Sequence, residues 1–268
     1  MAKKKRLIIP VFIPFGGCPH QCVFCDQSGI TGKAVMPGLE DVRSTIEAYL
    51  STWKGEGPRE AAFYGGSFTG LPMEKQEEYL ECAHAYVRDG RIDSIRLSTR
   101  PDYIGGGIVA FLKGYGVGTV ELGVQSMSDA VLRLSGRGHT AEHSRNAVNI
   151  LKEAGIKAGV QIMPGLPGDT ADTIISTVKD VIGLSPDFVR IYPTLVLRDT
   201  PLYAMYLRGD YRPWALDEMV EVCREIAGLL KAAGVGVIRM GLQPTKELAG
   251  SIVSGPFHPS FRQLVEGS

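Results

Sequence analysis

Three cysteines near the start of the chain have a spacing that suits a metal centre. Cys18, Cys22 and Cys25 fall within eight residues, directly after an apolar run at residues 7–15. Thiolates spaced this closely in a loop are typical ligands of an iron–sulfur cluster or of zinc. A Cys-x-x-Cys pair alone is also compatible with a redox couple.

The number of cysteines narrows these alternatives. Clusters and zinc sites usually take four protein ligands. Cys82 and Cys223 lie in helical apolar patterns and are expected to be core residues. Three thiolates could hold a four-iron cluster and leave one iron open to a ligand that is not protein. The sequence therefore favours a cluster with one open coordination site.

The elements that must position these cysteines form a repeated pattern. Strand-like apolar runs occur at residues 7–13, 61–64, 94–99, 119–124, 157–163, 188–193 and 235–240. Helical patterns occur at residues 40–54, 73–89, 106–115, 141–154, 170–183 and 215–233. Alternating β-α units predict a parallel sheet with right-handed crossovers. We expect an α/β fold, a partial (β/α)6 TIM-like barrel, as a single domain over 1–268 with a core barrel over about 7–195 and a C-terminal extension over about 196–268.

Several of these strands carry a polar residue at every second position. The polar positions are Arg96, Ser98, Glu121, Gln125, Gln161, Arg190 and Tyr192. Buried parallel strands are normally almost entirely apolar, and alternation places these side chains on one face. Because unpaired buried charges are costly, we expect the column to surround a polar ligand or water. An internal salt-bridge network is the alternative.

Composition and charge indicate a cytoplasmic protein without a membrane segment. Lys and Arg total 29, as do Asp and Glu, so net charge gives no overall attraction to nucleic acid. Clustered cysteines fit a reducing compartment. The basic start and the apolar run resemble a secretion signal, but Pro10 and Pro14 interrupt the run, which is far shorter than the about 20 residues of a membrane span. A local phosphate-binding rim could be formed by Arg100, Arg133, Arg137, Arg198, Arg208 and Arg212.

The cysteine motif resembles one that is known. Cys-x-x-x-Cys-x-x-Cys, with Phe24 before the last cysteine and in a loop after the first strand, is similar to the motif of the radical S-adenosylmethionine (SAM) superfamily. The resemblance implies that Cys18, Cys22 and Cys25 bind a [4Fe–4S] cluster and are catalytic. It also implies that SAM occupies the open iron and that one electron cleaves it to a 5′-deoxyadenosyl radical, while the protein orients the cofactor.

The same resemblance implies which residues contact SAM. Gly65 and Gly66 follow the second strand at the usual methionine-amine position, where Ser67 replaces a common Glu; an ordinary βα turn is the alternative. Glu121 is implied to contact the methionyl carboxylate or the ribose, and an ion pair with Arg96 or Arg100 is its alternative. The implied cofactor-binding residues are Phe24, Tyr64, Gly65, Gly66, Ser67, Ser98, Glu121, Gln125, Gln161 and Met163.

Further motifs resemble one branch, the Elongator catalytic subunit family. Its motifs match residues 63–72, 99–103, 121–126, 137–140, 163–167 and 191–196 in this order. Members of that family bind tRNA and install a carboxymethyl-type group at C5 of the wobble uridine. The resemblance implies a tRNA substrate and a low-potential electron donor such as flavodoxin or ferredoxin. Candidate substrate-binding residues are Arg100, Arg137, His139, Tyr192 and Arg198.

Departures from that family keep alternatives open. An acetyltransferase-like domain follows the barrel in the family, whereas this sequence ends at Ser268, so the acetyl donor is not carried over and a C-terminal segment could be missing. One alternative is oxidation of a small molecule, as in oxygen-independent porphyrinogen oxidation. In that branch the motif often continues as Cys-x-Cys. In this sequence Asp26 and Gln27 follow Cys25 instead, which counts against this alternative. Another alternative is a non-catalytic electron-transfer or RNA-binding module.

Overall fold

A curled parallel sheet organises the chain. The computed structural model describes residues 6–14, 17–18, 22–26 and 35–267. Its sheet contains β1 (Leu7–Ile13), β2 (Arg59–Gly65), β3 (Ser94–Thr99), β4 (Val117–Gln125), β5 (Lys157–Ile162), β6 (Phe188–Ile191) and β8 (Gly236–Met240), and a separate antiparallel pair contains β7 (Val196–Leu197) and β9 (Ile252–Ser254). The order β1-β2-β3-β4-β5-β6-β8, with parallel neighbours throughout, leaves β1 and β8 at the edges of an open half-barrel.

Helices connect the strands. Those in the described part of the chain are α1 (Leu39–Thr52), α2 (Met73–Arg88), α3 (Gly106–Gly114), α4 (Asp129–Leu134), α5 (Ala141–Glu153), α6 (Ala171–Gly183), α7 (Pro201–Arg208), α8 (Leu216–Ala232), α9 (Lys246–Ser251) and α10 (Phe261–Glu266). Each crossover returns the chain to a parallel neighbour. The carboxyl ends of the strands therefore meet at one edge of the sheet, where barrel active sites lie.

Local sequence explains how these helices begin and pack. α5 starts at a Thr140 N-cap: the Thr140 hydroxyl accepts from the His143 N–H, and the His143 ring accepts from the Thr140 N–H. Its buried face carries Ala147, Val148 and Leu151. These residues join the apolar face of β4 in the main core, so the sheet's outer face is covered by helices.

Predicted boundaries of the long elements are confirmed to within about two residues, and β1 and β3 match fully. The short elements α4, α7, α9, α10, β7 and β9 were not predicted. α7 does carry a signal, a Thr200 cap followed by Pro201 at its first position. The others are too short for periodicity to reveal, and tertiary contacts decide their conformation.

The remaining cysteines are core residues, as predicted. Cys82 and Cys223 are buried in the main apolar cluster. Burial raises the pKa of the Cys223 thiol to about 12, so this group stays protonated and inert at neutral pH. Among the residues whose placement is described, no helix combines the length and the hydropathy needed to cross a membrane.

Candidate cluster and cofactor site

The described residues of the cysteine loop, 17–18 and 22–26, follow β1 at the carboxyl edge of the sheet. Cys18 is exposed, Cys25 is half-buried and Cys22 is buried. The Cys25 N–H donates to the Cys22 carbonyl at 3.1 Å, which closes a turn between the last two cysteines. Gly17, with φ +69°, approaches the turn after β2 so closely that a Cβ atom there would lie 2.1 Å from the Ser67 carbonyl oxygen. The cysteine loop therefore lies directly against that turn.

Contacts from distant parts of the chain hold the end of this loop. The Val23 N–H donates to the Ser135 carbonyl at 3.1 Å, and the Val23 carbonyl accepts from the Leu202 N–H at 2.7 Å. Phe24 packs against the small apolar cluster of Val131, Met163 and Leu166, as Tyr192 after β6 also does. The loop is thus fixed from the end of α4, from the start of α7 and from the sheet.

The donor set of this loop fits an iron–sulfur cluster. Arg137 Nη1 donates to Cys22 Sγ at 3.1 Å, so a hydrogen-bond donor suited to a metal-bound sulfur lies beside the buried cysteine. Within the part of the chain described, no three His, Cys, Asp or Glu side chains converge on a single ion. Such convergence is not required of a four-iron cluster, in which each thiolate binds a different iron.

The turn after β2 is tied to the strand that leads into the cysteine loop. The Gly66 N–H donates to the Ile13 carbonyl at 2.8 Å, and Gly65 has φ +106° with its Cα facing the same carbonyl. Ser67 is buried, and its Oγ lies 2.9 Å from Thr99 Oγ1 and accepts from the Arg100 N–H at 3.1 Å. The Ser67 hydroxyl is therefore used inside the protein, which leaves the turn to offer a ligand its backbone.

A charged network fills the interior of the half-barrel. Glu121 accepts hydrogen bonds from Tyr64 Oη at 2.9 Å, from Arg96 Nη1 at 2.8 Å and from the Arg190 guanidinium. Arg96, only 1% exposed, also donates to Glu60 at 2.9 Å. The alternative expectation of an internal salt-bridge network is confirmed for these residues, and the partner of Glu121 is Arg96 rather than Arg100.

This network determines the ionisation of its members. Burial alone would raise the pKa of Glu121, but Arg190 and Arg96 outweigh burial, so the pKa of Glu121 lies below its usual value. Burial and the Glu121 charge raise the pKa of Tyr64, which stays a hydroxyl donor. The interior is therefore charged, ordered and internally compensated at neutral pH.

Amide side chains lie at the carboxyl end of this interior. Gln161 Nε2 donates to Gln125 Oε1 at 3.1 Å. Gln125 has φ +67° at a break in the register of β4, and its carbonyl accepts from the Met163 N–H at 2.9 Å. A non-glycine residue in this conformation costs on the order of 1–3 kcal/mol and is typical of functional sites. Ser98 lies in β3, and its Oγ is 3.5 Å from the Phe63 carbonyl oxygen of the neighbouring strand β2.

The expectation that Arg100 and Arg137 belong to a phosphate-binding rim is wrong, because both side chains are buried. Arg100 is 4% exposed and makes a bidentate pair with Asp102 at 3.0 and 2.8 Å, and Arg137 is also buried. His139 is 3% exposed, with Nε2 3.2 Å from the Val124 carbonyl; burial, together with Arg137 and Arg100, lowers its pKa to about 3. Burial explains these differences, because charge and polarity alone do not reveal which side chains face solvent.

The two remaining candidate substrate-binding residues, Tyr192 and Arg198, are more exposed to solvent. Tyr192 is half-buried and its hydroxyl accepts from Arg190 Nη1 at 3.3 Å. Arg198 is exposed in the turn after β7, and its backbone N–H donates to the Ser251 carbonyl. The structure thus places Tyr192 beside the interior network and Arg198 on the surface.

Some residues that shape the site were not among the predicted cofactor or substrate contacts. Arg96 and Arg190 were predicted as members of the polar column, Arg96 also as one alternative partner of Glu121, and the structure shows that both hold Glu121. Ser135 and Leu202 hold the cysteine loop through backbone groups, for which the sequence contains no signal.

Comparison with known proteins decides the family. The profile of the radical SAM superfamily matches residues 12–181, and that of the radical SAM C-terminal domain matches residues 186–268. The chain belongs to the radical SAM superfamily. This membership confirms the resemblance seen in the cysteine motif and assigns a [4Fe–4S] cluster and SAM as the cofactors.

Relatives place the chain within this superfamily. It is 29% identical over 245 residues to a tRNA uridine(34) acetyltransferase of Methanocaldococcus jannaschii, an alignment covering 76% of this chain and 45% of the relative. An uncharacterized protein of the same organism is 32% identical over 230 residues, covering 81% and 69%. The archaeal Elp3 structure from Methanocaldococcus infernus superposes with a TM-score of 0.77 at 23% identity, covering 98% of this chain and 62% of that one, which confirms the fold. The chain spans less than half the length of the acetyltransferase.

Proposed function

We propose that this radical SAM chain cleaves SAM reductively and uses the resulting radical to modify a uridine of tRNA. Cys18, Cys22 and Cys25 would hold the cluster. When bound, the cluster supplies the electron that cleaves SAM into methionine and a 5′-deoxyadenosyl radical. The electron would come from a low-potential donor such as flavodoxin or ferredoxin, in the reducing environment of the cytoplasm.

The observation that carries this proposal is the position of the cysteine loop. It lies at the carboxyl edge of the half-barrel, in contact with the turn after β2. Polar side chains of the interior end at the same edge. A cluster on this loop would therefore border polar side chains at the carboxyl ends of the strands, where barrel active sites lie and where a purely structural cluster needs no such neighbours.

The chain's own residues would orient the cofactor. The Gly65–Gly66 turn is tied to Ile13, and its backbone carbonyls would accept hydrogen bonds from the methionyl amine. Gln125 and Gln161 retain amide donor and acceptor capacity beyond their mutual hydrogen bond. Phe24 lies against the apolar cluster that contains Met163, an environment that would suit a nucleoside base and exclude water.

For Tyr64, Ser67 and Glu121 the geometry supports an indirect role. Their polar atoms are occupied by other protein groups, so we propose that they shape the site and keep the interior ordered. Ser98 would contribute through the same interior face.

A tRNA substrate is supported by the relatives and by exposed cations. The acetyltransferase relative is named for uridine 34 of tRNA. Arg133, Arg198 and Arg212 are exposed and could contact phosphate. Tyr192 beside the interior network would face the base. Arg100, Arg137 and His139 are buried, so their part in substrate binding would be to shape the site and not to contact phosphate.

The chemistry is tested by SAM cleavage. Anaerobically reconstituted protein, given SAM and dithionite, is expected to release 5′-deoxyadenosine. Replacing any one of Cys18, Cys22 or Cys25 by Ser should abolish cluster absorbance and cleavage. Cys82→Ser is the matched control, because a hydroxyl there keeps a donor toward the Leu39 carbonyl, and it should retain both. Wild-type cleavage by Cys22→Ser would overturn the ligand assignment.

The substrate is tested separately. Nucleoside mass spectrometry of tRNA from cells that lack this protein is expected to show the loss of one modified uridine. Re-expression of the wild-type chain, but not of Cys22→Ser, should restore it. An unchanged profile would contradict the tRNA proposal and favour a small-molecule substrate.

A further inference from the structure

A short glycine-flanked turn fixes Arg137 beneath the cysteine loop. Gly136 and Gly138 have φ +64° and +73°, and the Arg137 N–H donates to the Leu132 carbonyl at 3.0 Å. These features set the backbone direction on both sides of the arginine. Arg137 is only 6% exposed, so its guanidinium points into the protein.

The guanidinium connects β4 to the buried cysteine. Arg137 Nη2 donates to the Gly123 carbonyl at 2.5 Å, and Nη1 donates to Cys22 Sγ at 3.1 Å. A Cβ atom on Gly123 would lie 3.3 Å from Nη2, so the glycine leaves room for the arginine. The Nε atom is buried and has no hydrogen-bond partner among the described groups.

This environment gives the arginine an incomplete set of partners. A guanidinium stays charged at any working pH, and a buried charge is costly without a counter-charge. The hydrogen bonds found for Arg137 in the described part of the chain go to a carbonyl and a sulfur, and no ion pair with a carboxylate is found for it there. As a ligand of the proposed cluster, Cys22 would place a metal-bound thiolate against this guanidinium.

We propose that Arg137 is a positioning residue for the cluster ligand Cys22 and that it raises the reduction potential of the cluster. Its Nη1–H holds the sulfur in place, and its positive charge favours the reduced cluster, which carries one more electron. Hydrogen bonds to cluster sulfurs and nearby charges are established determinants of such potentials. This inference rests on the proposed cluster at Cys18, Cys22 and Cys25.

The test is a redox titration of reconstituted protein followed by electron paramagnetic resonance, with iron content measured in parallel. At the wild-type midpoint potential, Arg137→Met is expected to reduce the ratio of reduced to oxidised cluster by about tenfold, which corresponds to about 59 mV for one electron. Arg137→Lys keeps a charge and should remain within about threefold of wild type. The matched control is Arg133→Met, which removes an exposed arginine four residues earlier and should leave the ratio unchanged.

The outcomes separate this inference from the proposed function. A change below about threefold in Arg137→Met at full iron content would overturn it, as would an equal change in Arg133→Met. If Arg137→Met binds no iron, Arg137→Lys decides: iron binding with a near-wild-type ratio supports the role of the charge, and loss of iron there contradicts it. Failure of the wild-type chain to assemble a four-iron cluster would instead refute the proposed function.

Discussion

Glu121→Gln gives the sharpest test of the interior network. The Glu121 carboxylate is 6% exposed and accepts hydrogen bonds from Tyr64, Arg96 and Arg190. The other interior carboxylate, Glu60, pairs with Arg96 but not with Arg190. Glutamine conserves the shape but leaves the Arg190 guanidinium without a carboxylate. Removing one partner of a buried ion pair costs about 3–5 kcal/mol. At about 2–4 °C per kcal/mol, the unfolding midpoint should fall by roughly 6–20 °C.

The assays are thermal unfolding, which gives the midpoint temperature, and urea denaturation, which gives the free energy; both use the apoprotein and circular dichroism, so that cluster loss does not contribute. Glu78→Gln is the control, because the Lys75–Glu78 pair has side chains 53% and 45% exposed. An exposed pair of this kind should contribute less than about 1 kcal/mol. A loss below about 1 kcal/mol in Glu121→Gln would refute the reasoning that the network is structurally important.

The stability difference between wild type and Glu121→Gln should also depend on pH. Because the pKa of Glu121 is lowered on folding, its ionisation stabilises the fold above the unfolded pKa, near about 4.3, and this contribution is lost as pH falls through the folded value. The stability difference between wild type and Glu121→Gln should be constant from about pH 8 to 5.5 and narrow at lower pH. A difference that widens on acidification would contradict the sign of the shift.

Further stability predictions concern packing and a buried hydroxyl, each measured by urea denaturation. Gly159→Ala should cost about 1–3 kcal/mol, because its Cβ would lie 2.2 Å from the Phe188 ring, whereas Gly228→Ala at an exposed position of α8 should stabilise by up to about 1 kcal/mol. Equal stability of these two alanine variants would contradict the packing described. Ser67→Ala should cost about 1–3 kcal/mol by leaving the buried Arg100 N–H without its acceptor, and an unchanged midpoint would show that this hydrogen bond is replaced.

The fold was predictable because its signals are local and repeated. Each long strand has an apolar face that helices cover, as Val120, Leu122 and Val124 show in β4. The helices carry caps and apolar stripes that the sequence displays directly. Only the short elements, whose conformation depends on tertiary contacts, escaped prediction.

The site was predictable only in part. The cysteines and the polar positions of the strands follow from spacing and alternation. An ion pair of Glu121 with Arg96 was only one alternative beside Arg100, and the second pair with Arg190 was not foreseen, because alternation gives the face of a side chain and not its partner. The backbone contacts of Val23 join segments more than 100 residues apart, and backbone groups leave no trace in side-chain identity. Burial of Arg100 and Arg137 likewise depends on the assembled fold.

Electron paramagnetic resonance of the dithionite-reduced, anaerobically reconstituted chain, recorded before and after addition of SAM, tests the central claim most directly. We expect the signal of a reduced [4Fe–4S] cluster whose shape changes when SAM binds the open iron. A chain that instead holds stoichiometric zinc, or a cluster whose signal is the same with and without SAM, would contradict this account.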